Sequence, residues 1–174
     1  MECREQLPVL IESHPYYKSL NKKIMDESIE YPFVDSTEVL NRDGGISNLR
    51  AFKTQSKLDS KSFEVFYGWI LSLLRDQYPG WKFRVTDTWL GKYNKGHHAY
   101  SHNHSPAFMS FVYFIKCPKG SSPLVFTTSG KRVKAEDGKL VMFPGYLKHH
   151  VPKNKCDGRM TLAGNILPDM STYY

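Results

Sequence analysis

The chain has 174 residues, 40% hydrophobic and 14% aromatic, with 12 Gly and 10 Pro, which excludes a disordered chain and allows one core without disulfides. No charged leader runs into an apolar stretch and no apolar run approaches the roughly 20 residues of a membrane span, so a soluble protein without a membrane partner is expected. The formal charge of +7 comes from scattered lysines, and suits nucleic acid, an acidic protein or a small dicarboxylate equally well.

Residues 1 to about 60 are polar and irregular, with a turn signal at Asp43-Gly44-Gly45. After Asp59 and Ser60, either of which can cap a helix, Phe63, Phe66, Tyr67, Ile70, Leu73 and Leu74 fall on one helical face before Pro79-Gly80 ends it. From Trp81 the pattern changes to short apolar or alternating runs. These are Lys82 to Tyr93, Phe108 to Lys116, Leu124 to Thr127, Leu140 to Phe143 and Met160 to Leu167, with turn clusters between them. The expectation is a mainly β protein with flanking helices, an antiparallel sandwich or jelly roll. It is read as a single domain, with residues 1–80 as helical or irregular support and 81–167 as the β core. Cys3, Cys117 and Cys156 are odd in number and widely spaced, which argues against a disulfide framework and for a reducing cytoplasm.

Six of the seven histidines, His97, His98, His102, His104, His149 and His150, lie in the second half in two groups. On an extended segment alternate side chains share a face, so His102 and His104 can direct two imidazoles at one ion. Gly96, Ser101, Asn103 and Ser105-Pro106 disfavour a helix there. His149, four residues past the Pro144-Gly145 turn, is placed to deliver a third ligand from a later strand, while His150 would face the other way. Three neutral imidazoles on one face leave about three positions open, which suits a catalytic iron better than a closed structural zinc. The competing reading is a set of loop histidines with no metal at all. Arg159 and Thr161 share a face on the next strand, and a guanidinium there either grips a carboxylate through two hydrogen bonds or ends a strand at the surface. His97 and His98 belong to a glycine-containing loop, and Trp89 and Tyr93 either line the pocket or fill the core.

Taken in order, Trp89, His102-Asn103-His104, Ser110-Phe111-Val112-Tyr113-Phe114, Phe143-Pro144, His149-His150-Val151-Pro152 and Arg159-Met160-Thr161 resemble the iron(II)- and 2-oxoglutarate-dependent oxygenases. The resemblance covers about residues 81 to 167 and looks closest to a small bacterial and phage branch of that superfamily. It implies a double-stranded β-helix, or cupin-like jelly roll, and a dioxygenase that couples decarboxylation of 2-oxoglutarate by O2 to hydroxylation of a second substrate. His102, His104 and His149 would hold Fe(II). Arg159 and Thr161 would hold the far carboxylate of 2-oxoglutarate, and Tyr113 would add a contact to it. The location implied is the cytoplasm, or the host cytoplasm for a phage protein.

The chain departs from that pattern where most of the superfamily has Asp or Glu in place of His104, and where Ser105 and Phe111 replace a proline and a glycine. The primary substrate is not legible, and a protein or peptide side chain such as proline is favoured. Two other classes remain open: a cupin-like three-histidine dioxygenase that needs no 2-oxoglutarate, and a non-catalytic metal- or nucleic-acid-binding module using Lys148, Lys153 and Lys155.

Overall fold

A computed structural model describes residues 9–36, 47–54 and 58–170. The Asp43-Gly44-Gly45 turn and Cys3 lie outside these. The elements run β1 (Leu10–Ser13), α1 (Tyr17–Glu27), a short 3-10 turn, β2 (Phe33–Asp35), β3 (Leu49–Arg50), β4 (Phe52–Thr54), α2 (Lys61–Gln77) and β5 (Phe83–Tyr93). There follow β6 (His98–His102), β7 (Met109–Lys116), β8 (Leu124–Phe126), β9 (Arg132–Val133), β10 (Lys139–Pro144), β11 (His149–Val151) and β12 (Arg159–Pro168). No described helix is long and apolar enough to cross a membrane.

All pairings are antiparallel, in a seven-stranded sheet ordered β1-β10-β7-β12-β5-β4-β2 and a five-stranded sheet ordered β3-β6-β11-β8-β9. This is the jelly-roll arrangement anticipated from the alternating runs, and each of the five runs is a strand to within about a residue at each end.

Alternation along the strands of the larger sheet separates two cores. Phe111, Tyr113 and Ile115 of β7, Leu140 and Met142 of β10, and Leu162 and Ile166 of β12 face the helices. There they pack with Leu20 and Ile24 of α1 and with Phe63, Phe66, Ile70 and Leu74 of α2. The residues between them, Phe114, Val141 and Phe143, turn inward and meet Phe126, Val133 and Val151 of the smaller sheet. The centre of the helix-side core is aromatic: Phe66 is fully buried and lies 4.8 Å from Tyr113 and 5.7 Å from Phe111 between ring centroids. Truncating a phenylalanine so placed costs about 3–5 kcal/mol.

The described residues before position 60 form a helix and four strands, which corrects the irregular reading of them. Helix α1 buries a narrow stripe, Leu20 and Ile24, one turn apart, with Asn21 beside it. The Asn21 amide donates to the Ile115 carbonyl at 2.6 Å, and its oxygen accepts the Tyr113 hydroxyl at 2.7 Å, which pins the helix to the sheet. Glu27, the last residue of α1, accepts hydrogen bonds from Ser60 Oγ, from Ser62 Oγ at 2.6 Å and from the Ser62 amide at 3.2 Å. One helix thus places a carboxylate at the amino end of the next, where the helix dipole favours it. Strands β1, β2 and β4 join the larger sheet and β3 the smaller one, so residues before position 60 contribute to both layers.

Candidate metal and carboxylate site

His102 is the last residue of β6, and His149, the first of β11, is its direct cross-strand partner. His104 follows two residues later, where the chain leaves the sheet. Its amide donates to the Gly145 carbonyl at 2.7 Å, which ties the end of β6 to the turn after β10. That turn needs glycine: a Cβ on Gly145 would stand 2.1 Å from the Ala107 carbonyl oxygen.

The three imidazoles converge inside the smaller sheet. Ring centroids are 4.4 Å apart for His102 and His149, 5.0 Å for His102 and His104, and 5.1 Å for His104 and His149. One nitrogen from each lies within 4.8 Å of the others, a cluster among the described residues that could hold a metal ion.

Two backbone carbonyls set the tautomers. His102 Nδ1 lies 2.7 Å from the Tyr100 carbonyl oxygen and His149 Nδ1 lies 2.9 Å from that of Leu147. A carbonyl can only accept, so each Nδ1 carries the proton and leaves Nε2 as a lone-pair donor. Burial, reinforced by the neighbouring His102, lowers the His104 pKa to about 4. The same two causes, burial first, lower that of His149 to about 3. His102 is lowered as well, by burial. All three rings are therefore neutral at pH 7, the form that binds metal.

His150 faces the opposite way, within 3.1 Å of the Thr127 hydroxyl, as strand alternation requires. His97 and His98 are outside the cluster. His97 accepts the Asn94 amide and packs against Phe52, and His98 packs edge-on against Tyr100.

The cavity beside the histidines measures about 270 Å³ and reaches Arg159 and Thr161 on the facing sheet. Arg159 is 1% exposed. Its guanidinium carbon lies 4.3 Å from the Tyr93 ring centroid and 5.4 Å from that of Phe114, two cation–π contacts that hold the side chain in place. Its Nε and Nη1 hydrogens find no acceptor among the described residues. Buried guanidinium nitrogens without an acceptor are costly unless an anion completes them, and a carboxylate is such an anion. Burial also raises the Tyr93 pKa, partly offset by the Arg159 charge, so its hydroxyl stays neutral.

Trp89 lines the same cavity, its ring 5.8 Å from His104. Lys53 of β4 lines it too. The sequence reading missed this residue, which lies on a three-residue strand too short to show a period.

Tyr113 requires a correction. It is fully buried on the helix side of β7, bound to Asn21 and packed against Phe66, and takes no part in the cavity. The inward residues of β7 are its neighbours Val112 and Phe114, a displacement of one residue that exchanges the two faces of a strand.

Neither a family model nor a curated protein matches the sequence. Solved structures do. A viral collagen prolyl hydroxylase from Paramecium Bursaria Chlorella virus-1, in complex with 2-oxoglutarate, superposes with a TM-score of 0.68 at 12% identity, covering 90% of this chain and 94% of that one. A Pseudomonas putida prolyl-4-hydroxylase gives 0.66 at 16% identity, with coverage of 91% and 92%. HygX from Streptomyces hygroscopicus, with nickel, 2-oxoglutarate and hygromycin B bound, gives 0.65 at 12% identity, with coverage of 93% and 83%. At these identities the likeness is one of architecture, and it shows that this chain has the jelly-roll fold of the 2-oxoglutarate- and iron(II)-dependent oxygenases.

Proposed function

We propose that the protein is an iron(II)- and 2-oxoglutarate-dependent oxygenase that hydroxylates a primary substrate, with a protein or peptide side chain such as a prolyl residue favoured. The observation that carries this reading is the buried guanidinium of Arg159, two of whose nitrogens find no acceptor among the described residues, in the same cavity as three neutral imidazoles. The donor set fits both groups. His102, His104 and His149 would hold Fe(II) through unprotonated nitrogens, and Arg159 with Thr161 would hold the far carboxylate of 2-oxoglutarate.

Iron(II) held there would supply the O2-dependent decarboxylation of 2-oxoglutarate to succinate and carbon dioxide that transfers one oxygen atom to the substrate. The protein's part is positional. The Tyr100 and Leu147 carbonyls hold two rings in the ligating tautomer, Tyr93 and Phe114 hold the guanidinium in place, and Val112, Leu124 and Val151 give the cavity apolar walls. Low dielectric around the fork strengthens a charge-assisted bond relative to water.

A three-histidine dioxygenase without cosubstrate would leave the Arg159 donors without a role, and this ranks it second. The exposed Lys148, Lys153 and Lys155 give no reason by themselves to prefer a nucleic-acid module. The test is anaerobic titration of the protein with Fe(II) and then 2-oxoglutarate. The visible charge-transfer band of a chelated 2-oxo acid is expected, followed by succinate formation in air. Iron binding with neither band nor succinate would return the three-histidine dioxygenase to first place.

A further inference from the structure

Lys53 shares the inner face of the larger sheet with the carboxylate clamp. It pairs across the strands with Gly91, and Gly91 pairs with Thr161, so Lys53, Gly91 and Thr161 form one transverse row. The row has a gap in the middle. A Cβ on Gly91 would stand 3.1 Å from Thr161 Oγ1 and 3.1 Å from the Tyr93 ring, and its absence leaves the lysine a path over the backbone into the cavity it lines. Strands lie about 4.8 Å apart, so Lys53 stands about 10 Å from Thr161 between α-carbons, within reach of a four-carbon side chain.

Lys53 is half-buried and its pKa is lowered by burial alone. No ion pair with a carboxylate is found for it among the described residues.

Charge accounting in the cavity points the same way. No Asp or Glu lines it among the described residues, and the position that most of the superfamily gives to a carboxylate is His104. Iron(II) brings two positive charges, and Arg159 and Lys53 bring one each; bound 2-oxoglutarate cancels two. The cavity would then retain an excess of two positive charges, and Arg159 is already engaged by the cosubstrate. Around Lys53, the exposed Asn48 and Asn103 offer amides and Trp89 offers a flat apolar wall. The Asn103 oxygen accepts the Ser105 amide, which leaves its NH2 to donate.

We infer that Lys53 selects the primary substrate by binding a carboxylate or phosphate group on it, with Asn103 and Trp89 beside that group. The inference rests on the oxygenase reading for the identity of the neighbouring anion. It makes Lys53 a specificity-determining residue separate from the Arg159 clamp.

The test uses the zinc-loaded, 2-oxoglutarate-saturated protein, with the Trp89 indole resonance assigned through Trp89→Phe. Inorganic phosphate and N-acetylaspartate amide are the two anionic probes, and N-acetylasparagine amide is the neutral control. Saturable shifts with at least one anion and none with the control are expected. Lys53→Met should weaken that anion by about tenfold or more, and Lys53→Glu should abolish its binding. Which probe binds more tightly separates a phosphate from a carboxylate substrate.

Cosubstrate affinity is measured on the same preparations. Lys53→Met should keep it and Arg159→Met should lose it. Equal anion affinity in wild type and Lys53→Met, or no anion binding in wild type, would overturn the inference. So would a loss of 2-oxoglutarate affinity in Lys53→Met as large as in Arg159→Met, which would assign the lysine to the cosubstrate. Failure of the wild type to bind 2-oxoglutarate would instead overturn the oxygenase reading. The Lys53-dependent anion shifts would then be decided on the zinc protein alone by the same criteria.

Discussion

Replacing Arg159 with methionine separates a cosubstrate clamp from a structural cation, because the clamp predicts lost 2-oxoglutarate binding with little change in stability and the structural role predicts the reverse. The methionine follows the same apolar path between Tyr93 and Phe114 and removes only the fork. Two charge-assisted hydrogen bonds from the guanidinium are worth about 1.5–3 kcal/mol each. Thr161 keeps part of the contact, so we take a net loss of about 3–4 kcal/mol in 2-oxoglutarate binding, or about 100- to 1,000-fold in dissociation constant.

Without ligand the two effects nearly cancel. Exchanging a buried, incompletely paired charge for an apolar side chain gains about 1–4 kcal/mol, reduced by about 1 kcal/mol for each of the two ring contacts the cation gives up. The net lies between a loss of about 1 and a gain of about 2 kcal/mol, which moves the melting temperature by no more than about 8 °C in a chain of this size. Calorimetric melting of the metal-free protein and titration of the iron-loaded protein with 2-oxoglutarate measure the two quantities. A variant that melts lower than wild type and binds 2-oxoglutarate unchanged would refute the clamp and make Arg159 a structural ion.

Alanine at His102, His104 or His149 should each abolish stoichiometric iron binding, whereas alanine at His150 should spare it; metal content of the four purified variants decides. His104→Asp, which restores a carboxylate at the ligand position, should retain weakened iron and measurable succinate production, and iron content and turnover like wild type in both His104→Ala and His104→Asp would remove His104 from the site. Tyr113→Phe should lower stability by about 1–3 kcal/mol in urea unfolding, since Asn21 loses a buried partner, and should leave 2-oxoglutarate affinity unchanged. Acid should act through the histidines. Their folded pKa values, about 4 for His104 and about 3 for His149, lie below the unfolded value of about 6.5, so the unfolded chain takes up protons first. The metal-free protein is then at full stability above pH 6.5 and loses it as pH falls from 6.5 towards 4, with iron affinity falling in the same window. A flat urea midpoint between pH 7 and 5 would contradict this.

Much of the fold and of the histidine cluster was legible because both depend on local periodicity. Two histidines at i and i+2, an aromatic strand and a Pro-Gly turn each leave a short-range signature, and the structure joins His102 to His149 in register. What escaped was set by partners distant in sequence. The stripe of Leu20 and Ile24 is too narrow to stand out among lysines and asparagines, yet Ile115 and Tyr113 secure it. The placement of Tyr113 in the site failed because alternation gives faces only relative to one another. Which face of β7 turns inward is decided by α1 and α2 covering the other. Lys53 escaped for the same reason: a three-residue strand has no periodicity to read, and only its pairing with Gly91 brings it to the cavity.

The histidines belong to the smaller sheet and its exit, whereas Arg159 stands on the larger one. Packed sheets stand about 10 Å apart, and here Phe126 of one layer meets Phe143 of the other edge-on at 5.3 Å between centroids. On the proposed function, a diacid gripped at both ends spans the interior like a rung, and the frame acts as a caliper on its length. A 2-oxo diacid one carbon shorter falls short of the guanidinium, and one carbon longer must buckle. Choice among such acids is then a property of the spacing between layers rather than of any single contact, and a larger or smaller side chain at Phe126 would retune it from outside the site.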